Sequence, residues 1–135
     1  VVDQVSRYIN EMETYFVLET LDTLRKAGRL TRVQSIVTGA LHIKLLMGAT
    51  PEGEICKKGQ AMSVKQALNK MVALMADDLK HVGKRLSIVH CNCLERAFYV
   101  KELAMKQCRF DEILVSDTGG IATMYANDGG IVVAY

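Results

Sequence analysis

With 135 residues, half of them apolar and 24% charged, and a net charge of +2, the chain has the balance of one globular domain able to bury a core. Acids and bases are interspersed and Lys80, Lys84 and Arg85 form the nearest approach to a basic cluster, which excludes the cationic stripe of a nucleic-acid-binding surface. The apolar runs are too short for a bilayer span, so no stable membrane insertion is expected.

The opening VVDQVSRYINEM places Val1, Val5, Ile9 and Met12 at near-helical spacing. That predicts an amphipathic helix rather than the basic-then-apolar pattern of a secretory signal. The chain starts at Val1 without an initiator methionine, which reads as a piece of something longer. YFVLE at 15–19 predicts a short strand, and TLDTLRKAG a helix with Leu21 and Leu24 on one face and a stop at Gly28. Val33, Ile36, Val37 and Ala40 predict another short helix. HIKLLMG then reads as a strand that ends at the turn ATPEGE, around the only proline, Pro51.

Ser63 is a good cap for the clearest element, in which Val64, Ala67, Leu68, Met71, Val72, Met75, Leu79 and Val82 trace one stripe up to Gly83. RLSIVHC is the next strand. Asn92, three residues before Glu95, predicts a capping box with Asn in place of Ser or Thr. The helix it opens runs to about Gln107 with Leu94, Ala97, Phe98, Leu103 and Ala104 inward, and FDEILVS and GIVVAY are the remaining strands. Alternating strands and helices predict an α/β (α+β) fold, a two-layer arrangement of helices on a sheet, in a single domain over 1–135.

Chemistry-bearing patterns are few. Cys56, Cys91, Cys93 and Cys108 read as reduced thiols in a cytoplasm rather than a disulfide framework. His90-Cys91-Asn92-Cys93 invites a metal, but neighbours on a strand alternate faces and no second close ligand pair follows, so no metal is expected. The same alternation parts His90 from Cys91 as base and nucleophile. Asp77 and Asp78, late on a helix, read as solvated. DTGGIATMYANDGG, residues 117–130, matches neither a Walker loop nor a dinucleotide fingerprint. Its glycine pairs leave three readings open: an anion nest, tight turns, or the wall of a pocket. Seven methionines and no tryptophan suit an adaptable interior, as core filling or as a pocket for a flexible apolar ligand. The residues alone point to binding more than to catalysis.

The stretch LDTLRKAGRLTRVQSIVTGALHIKLLM resembles the C-terminal half of the DegV family of bacterial fatty-acid-binding proteins. Leu21, Asp22, Thr23, Leu24, Lys26, Gly28, Arg29 and Leu30 carry its first part, and Leu41, Ile43, Lys44 and Leu46 its second. PEGEI, VKQALNKMV, then His90, Asn92 and Ala97, and the block from Gly119 to Tyr135 extend the likeness over nearly the whole chain. The resemblance implies a mixed, largely antiparallel sheet in one half of a two-domain protein, whose own N-terminal domain would hold the carboxylate. It implies a long-chain fatty acid as the bound ligand, no other cofactor, no catalytic residues, and a separate fatty acid kinase subunit as partner.

On that likeness the acyl pocket is expected at Ile36, Leu41, Ile43, Leu46, Ile121, Ala122, Met124 and Tyr125. Gly119, Gly120, Tyr125 and Gly129 are expected near the head group or the seam between domains, which favours the pocket-wall reading of the glycine block. Arg29 is expected to hold its turn structurally, and Lys44 to lie at the surface or the seam. Tyr125 stands where the family has His, Asp128 and Leu45 where it has Pro, and Met62 near its Arg, which puts a kinase contact through that arginine in doubt. Two other readings are a module of a dihydroxyacetone-kinase-like enzyme and a structural half with no independent binding.

Overall fold

The computed structural model describes residues 1–30 and 42–135. In chain order these form α1 (Val2–Glu11), β1 (Thr14–Val17), α2 (Asp22–Lys26), β2 (Lys44–Ala49), β3 (Ile55–Ala61), α3 (Val64–Asp77), β4 (Arg85–His90), α4 (Leu94–Gln107), β5 (Glu112–Asp117), α5 (Gly120–Ala126) and β6 (Ile131–Ala134). The short helix expected over Val33–Ala40 lies outside the described residues.

The described strands make one sheet in the order β3-β2-β1-β6-β4-β5. Every pairing is antiparallel except β4 with β5, and α4 is the crossover that this parallel pair requires. The mixed, largely antiparallel sheet is thus as expected. β6, last in the chain, sits between β1 and β4, with Val132 opposite both Phe16 and Val89.

Strand side chains alternate between faces. Tyr15, Val17, Leu46, Leu86, Ile88, Ile131 and Val133 turn to one side, where Ala67, Leu68, Met71, Val72 and Met75 of α3 and Ala97, Val100 and Ala104 of α4 meet them in the principal core. Leu45 and Met47 turn to the other side and pack with Leu18, Leu21, Leu24, Cys91 and Ala126 in a second, smaller cluster. α2 and α5 cover part of that second face.

Several local expectations are corrected by packing. Ser63 caps α3, its Oγ accepting from Gln66 N at 3.3 Å. The stripe stops at Met75, however, because Asp78 leaves helical geometry and caps a 3₁₀ turn over Leu79–His81. Leu79 is therefore 80% exposed and Val82 is exposed too. Asp78 is more than solvated, since Tyr135 Oη donates to its Oδ2 at 3.0 Å. Asn92 makes no capping box: its φ is 51°, Cys93 takes the cap position, and Asn92 Nδ2 donates to Asp128 Oδ1 at 2.8 Å. Leu94 and Phe98 face out, and Val100 takes the inward position between Ala97 and Ala104.

β3 and α5 were not expected. Cys56-Lys57-Lys58-Gly59-Gln60 has no apolar alternation; it pairs as an edge strand through a register shift opposite Leu46/Met47, where a bulge and lysines discourage further pairing. α1 is amphipathic as expected, yet none of its residues is buried. Its C-terminal end is tied down by Lys84 Nζ donating to the Glu11 carbonyl at 2.7 Å, and Glu13 just beyond it pairs with Lys80 at 3.1 Å.

Candidate functional site

On the second face of the sheet an open groove of about 320 Å³ runs between α2, α5 and the strands. β1 and its exit contribute Phe16 and Leu18, β6 contributes Val132, and β3 contributes Ile55. Leu24 of α2 forms one wall; Ala122, Tyr125 and Ala126 of α5 form the other, with Arg29 on the rim. Apart from Arg29 and Tyr125, these described lining side chains are hydrocarbon.

Local sequence explains both walls. α2 ends in a Schellman turn: Gly28 sits at φ +70°, Gly28 N donates to Arg25 O at 3.0 Å and Arg29 N to Leu24 O at 2.9 Å. The reversal buries Leu30 and brings Arg29 to the groove. The turn is closed by the Arg29 backbone; its side chain makes no hydrogen bond among the described residues. Thr23 Oγ1 donates to Asn127 Oδ1 at 3.1 Å, tying α2 to the end of α5.

The two glycine pairs do different work. Gly119 precedes α5 and Gly120 begins it at φ +39°, both with open space around them. Gly129 and Gly130 are hemmed in. A Cβ on Gly130 would lie 2.5 Å from the Ala126 carbonyl and 3.0 Å from Leu18 Cδ2, so this turn packs directly behind the groove wall. Gly129 N donates to Cys91 O and Gly130 N to Asn127 O, so neither amide is free to cradle an anion.

A charged cluster sits beside this turn. Glu19 accepts from Lys44 Nζ and from Arg96 Nη2, each at 2.6 Å, and Arg96 Nη1 also donates to the Gly129 carbonyl at 2.7 Å. The Lys44 hydrogen bond, with that of Arg96, holds the Glu19 carboxyl below its usual range despite partial burial. Lys44, expected at the surface or a seam, is instead half-buried in this ion pair.

The structure brings Ala122 and Tyr125 to the groove and leaves Ile43, Leu46, Ile121 and Met124 out of its lining. Ile43 packs against the second cluster but lines a neighbouring polar crevice with Glu19, His42 and Lys44. Leu46 is 0% exposed in the principal core, on the opposite face of the sheet. Ile121 and Met124 lie on the outer side of α5, 73% and 54% exposed. Ile36 and Leu41 lie outside the described residues. Of the expected head-group residues, Tyr125 lines the groove, Gly119 and Gly120 stand at one end of α5, and Gly129 lies beyond the other.

Phe16, Leu18 and Val132 were within reach of sequence reasoning, since alternation along β1 and β6 sets them apart from Tyr15, Val17 and Val133. Arg96 carried no such signal; its partners lie 77 and 33 residues away.

His90, Cys93 and Cys108 lie outside the groove lining. His90 is buried, with Nε2 3.4 Å from Asp117 Oδ1 and Nδ1 accepting from Cys93 N at 3.3 Å. Burial pushes the Cys93 and Cys108 thiols up, away from the reactive thiolate. Among the described residues no group of three or more His, Cys, Asp or Glu side chains is placed to hold a metal, and no helix is long and apolar enough to cross a membrane.

Comparison with known proteins adds a lineage. The model of the DegV family matches residues 1–135. A DegV domain-containing protein of Streptococcus pyogenes is 27% identical over 135 residues, 100% of this chain and 48% of the relative. The chain therefore spans about half the length of the curated relatives it matches. A crystal structure of a DegV-family protein from Ruminococcus gnavus, refined with vaccenic acid, is similar at TM-score 0.93 and 50% identity, over 99% of this chain and 48% of that one. The fatty acid kinase (Fak) B3 protein of Streptococcus pneumoniae, loaded with linoleic acid, has the same fold at TM-score 0.78 and 23% identity, over 99% of this chain and 47% of that one.

Proposed function

The chain belongs to the DegV family, and on that premise we propose that it is one half of a two-part lipid holder, which binds a long-chain fatty acid by its tail and leaves it chemically unchanged. The observation that carries this reading is the hydrocarbon lining of the groove between α2 and α5. Each methylene taken out of water contributes about 0.8 kcal/mol. About ten of them supply about 8 kcal/mol, the equivalent of micromolar affinity before ordering costs. No special chemistry is required along the tail. The 50% identical Ruminococcus gnavus protein, refined with vaccenic acid, supports the same ligand class.

Two features support a second half. A groove of about 320 Å³ is at the small end of the ~300–1,000 Å³ typical of ligand sites, so it shelters part of a long chain. The exposed apolar face of α1, with Val2, Val5, Tyr8 and Ile9 uncovered, offers a surface for a neighbouring domain. In this reading Ala122 and Tyr125 contact the tail, the carboxylate is held mainly by the other half, and Gly119 and Gly120 frame the approach to it.

The holder would then offer the carboxylate to a separate kinase subunit in the cytoplasm. The raised thiols and engaged His90 support a carrier rather than a catalyst, and the four free cysteines support a reducing compartment. Titration with a fluorescent fatty acid tests the reading: saturable, tight binding is expected of the polypeptide carrying both halves, and weak binding of this chain alone. Absence of saturable binding by both would refute it.

A further inference from the structure

The Glu19–Arg96–Gly129 brace lies outside the groove, yet it is built onto two of its walls. Glu19 directly follows Leu18, a lining residue, and Gly129 directly precedes Gly130, whose Cα backs onto Leu18. The space a Cβ would take at Gly129 is filled by Arg96 Nη1 at 2.6 Å and Glu19 Cγ at 3.0 Å, so the guanidinium is wedged between the end of β1 and the turn after α5. Its two nitrogens grip opposite sides of that gap, Glu19 Oε1 at 2.6 Å and Gly129 O at 2.7 Å. Lys44 holds the remaining oxygen of Glu19, together with its carbonyl at 2.9 Å, and so fixes the carboxylate against β2. Arg96 is about one-third exposed, and a planar fork is the side chain that can bridge two acceptors at once.

We propose that Arg96 is a positioning residue that sets the depth of the groove by clamping the Asn127–Gly130 turn, and with it the end of α5, against Leu18. The inference rests on the lipid-binding reading above and adds what limits tail length on this side. With the clamp in place, the Gly130 backbone packs behind Leu18 and Ala126, two residues of the groove lining. Without it, the turn keeps its bonds to Cys91 and Asn92 and the end of α5 its bond to Thr23, but the tie to Glu19 is lost, and the end of β1 that carries Leu18 draws back and deepens the groove.

The test uses the polypeptide that carries both halves and a series of saturated fatty acids of increasing length, competed against a fluorescent fatty acid. Wild-type affinity is expected to rise about fourfold per added methylene until the tail fills the available space, then level off. In Arg96→Ala the levelling-off point moves to longer acids, and Glu19→Gln moves it the same way. Arg96→Lys keeps the charge but cannot bridge both acceptors, and it falls between. Should Arg96→Ala fail to fold, the Lys and Gln variants carry the comparison. A purely structural role would weaken all lengths by one common factor with the levelling-off point unmoved, and that result overturns the proposal. Wild-type protein that binds no acid of any length overturns the lipid reading itself and the clamp with it.

Discussion

Arg96 Nη1 donates to the carbonyl of Gly129 at 2.7 Å and lies 2.6 Å from the point where a Cβ on residue 129 would stand. Gly129 also holds φ +82°, so two independent reasons favour glycine there. Gly129→Ala is expected to cost about 2–3 kcal/mol, from left-handed strain and a displaced charged hydrogen bond. Gly28 has a similar φ of +70° but open space around it, so Gly28→Ala should cost only about 1 kcal/mol. Denaturant unfolding of the two variants measures the difference; equal losses would mean that Arg96 gives way freely.

Ala122 and Ile121 are adjacent on α5, about 100° apart around its axis, and only Ala122 lines the groove while Ile121 stands in solvent. Ala122→Trp should reduce fatty-acid uptake by the two-half polypeptide with the fold intact, whereas Ile121→Trp should leave uptake unchanged. Circular dichroism beside a fluorescent-lipid titration checks both. Unchanged uptake in Ala122→Trp would remove that residue from the pocket.

Leu46 separates core from site. It is fully buried against α3, so Leu46→Ala is expected to lower stability by about 2–5 kcal/mol. Where the variant remains folded, its preference among fatty acids should match that of the wild type. A changed preference would place Leu46 in the ligand path after all.

Glu19 gives the fold a pH dependence with a definite sign. Its carboxyl is held below the usual 4.5 by the hydrogen bond from Lys44, followed by Arg96. The stabilisation is therefore fully present above the ordinary carboxylate range and is lost as pH falls through the depressed value. The site is about one-third exposed, so solvent screening limits the contribution to about 1 kcal/mol. Melting temperatures of wild type and Glu19→Gln should differ most near neutral pH and converge in acid. A difference that grows in acid would reverse the assignment.

The fold was largely legible because most elements bury one face with a clear period. The α3 stripe from Val64 to Met75 and the greasy strands β2, β4 and β6 left little choice. Elements without that signal were missed for physical reasons. β3 carries lysines at a sheet edge and is held by backbone pairing to β2, and α5 is a short helix inside a glycine-rich block. The groove was half legible. Ala122 and Tyr125 follow from the resemblance of the terminal block, and alternation along β1 separates Phe16 from Tyr15. The face of Leu46 was misjudged because β2 is apolar on both sides, burying Leu45, Leu46 and Met47 alike, so no period distinguishes core from groove. Arg96 could not have been found, since its role exists only once distant segments meet.

The central claim is that this chain shelters an alkyl tail. Native mass spectrometry of the gently purified two-half polypeptide tests it most directly. A mass increment equal to a long-chain fatty acid, released by organic extraction and diminished in Ala122→Trp, is the predicted result. Protein that is repeatedly empty, and stays so after incubation with oleate, would contradict it.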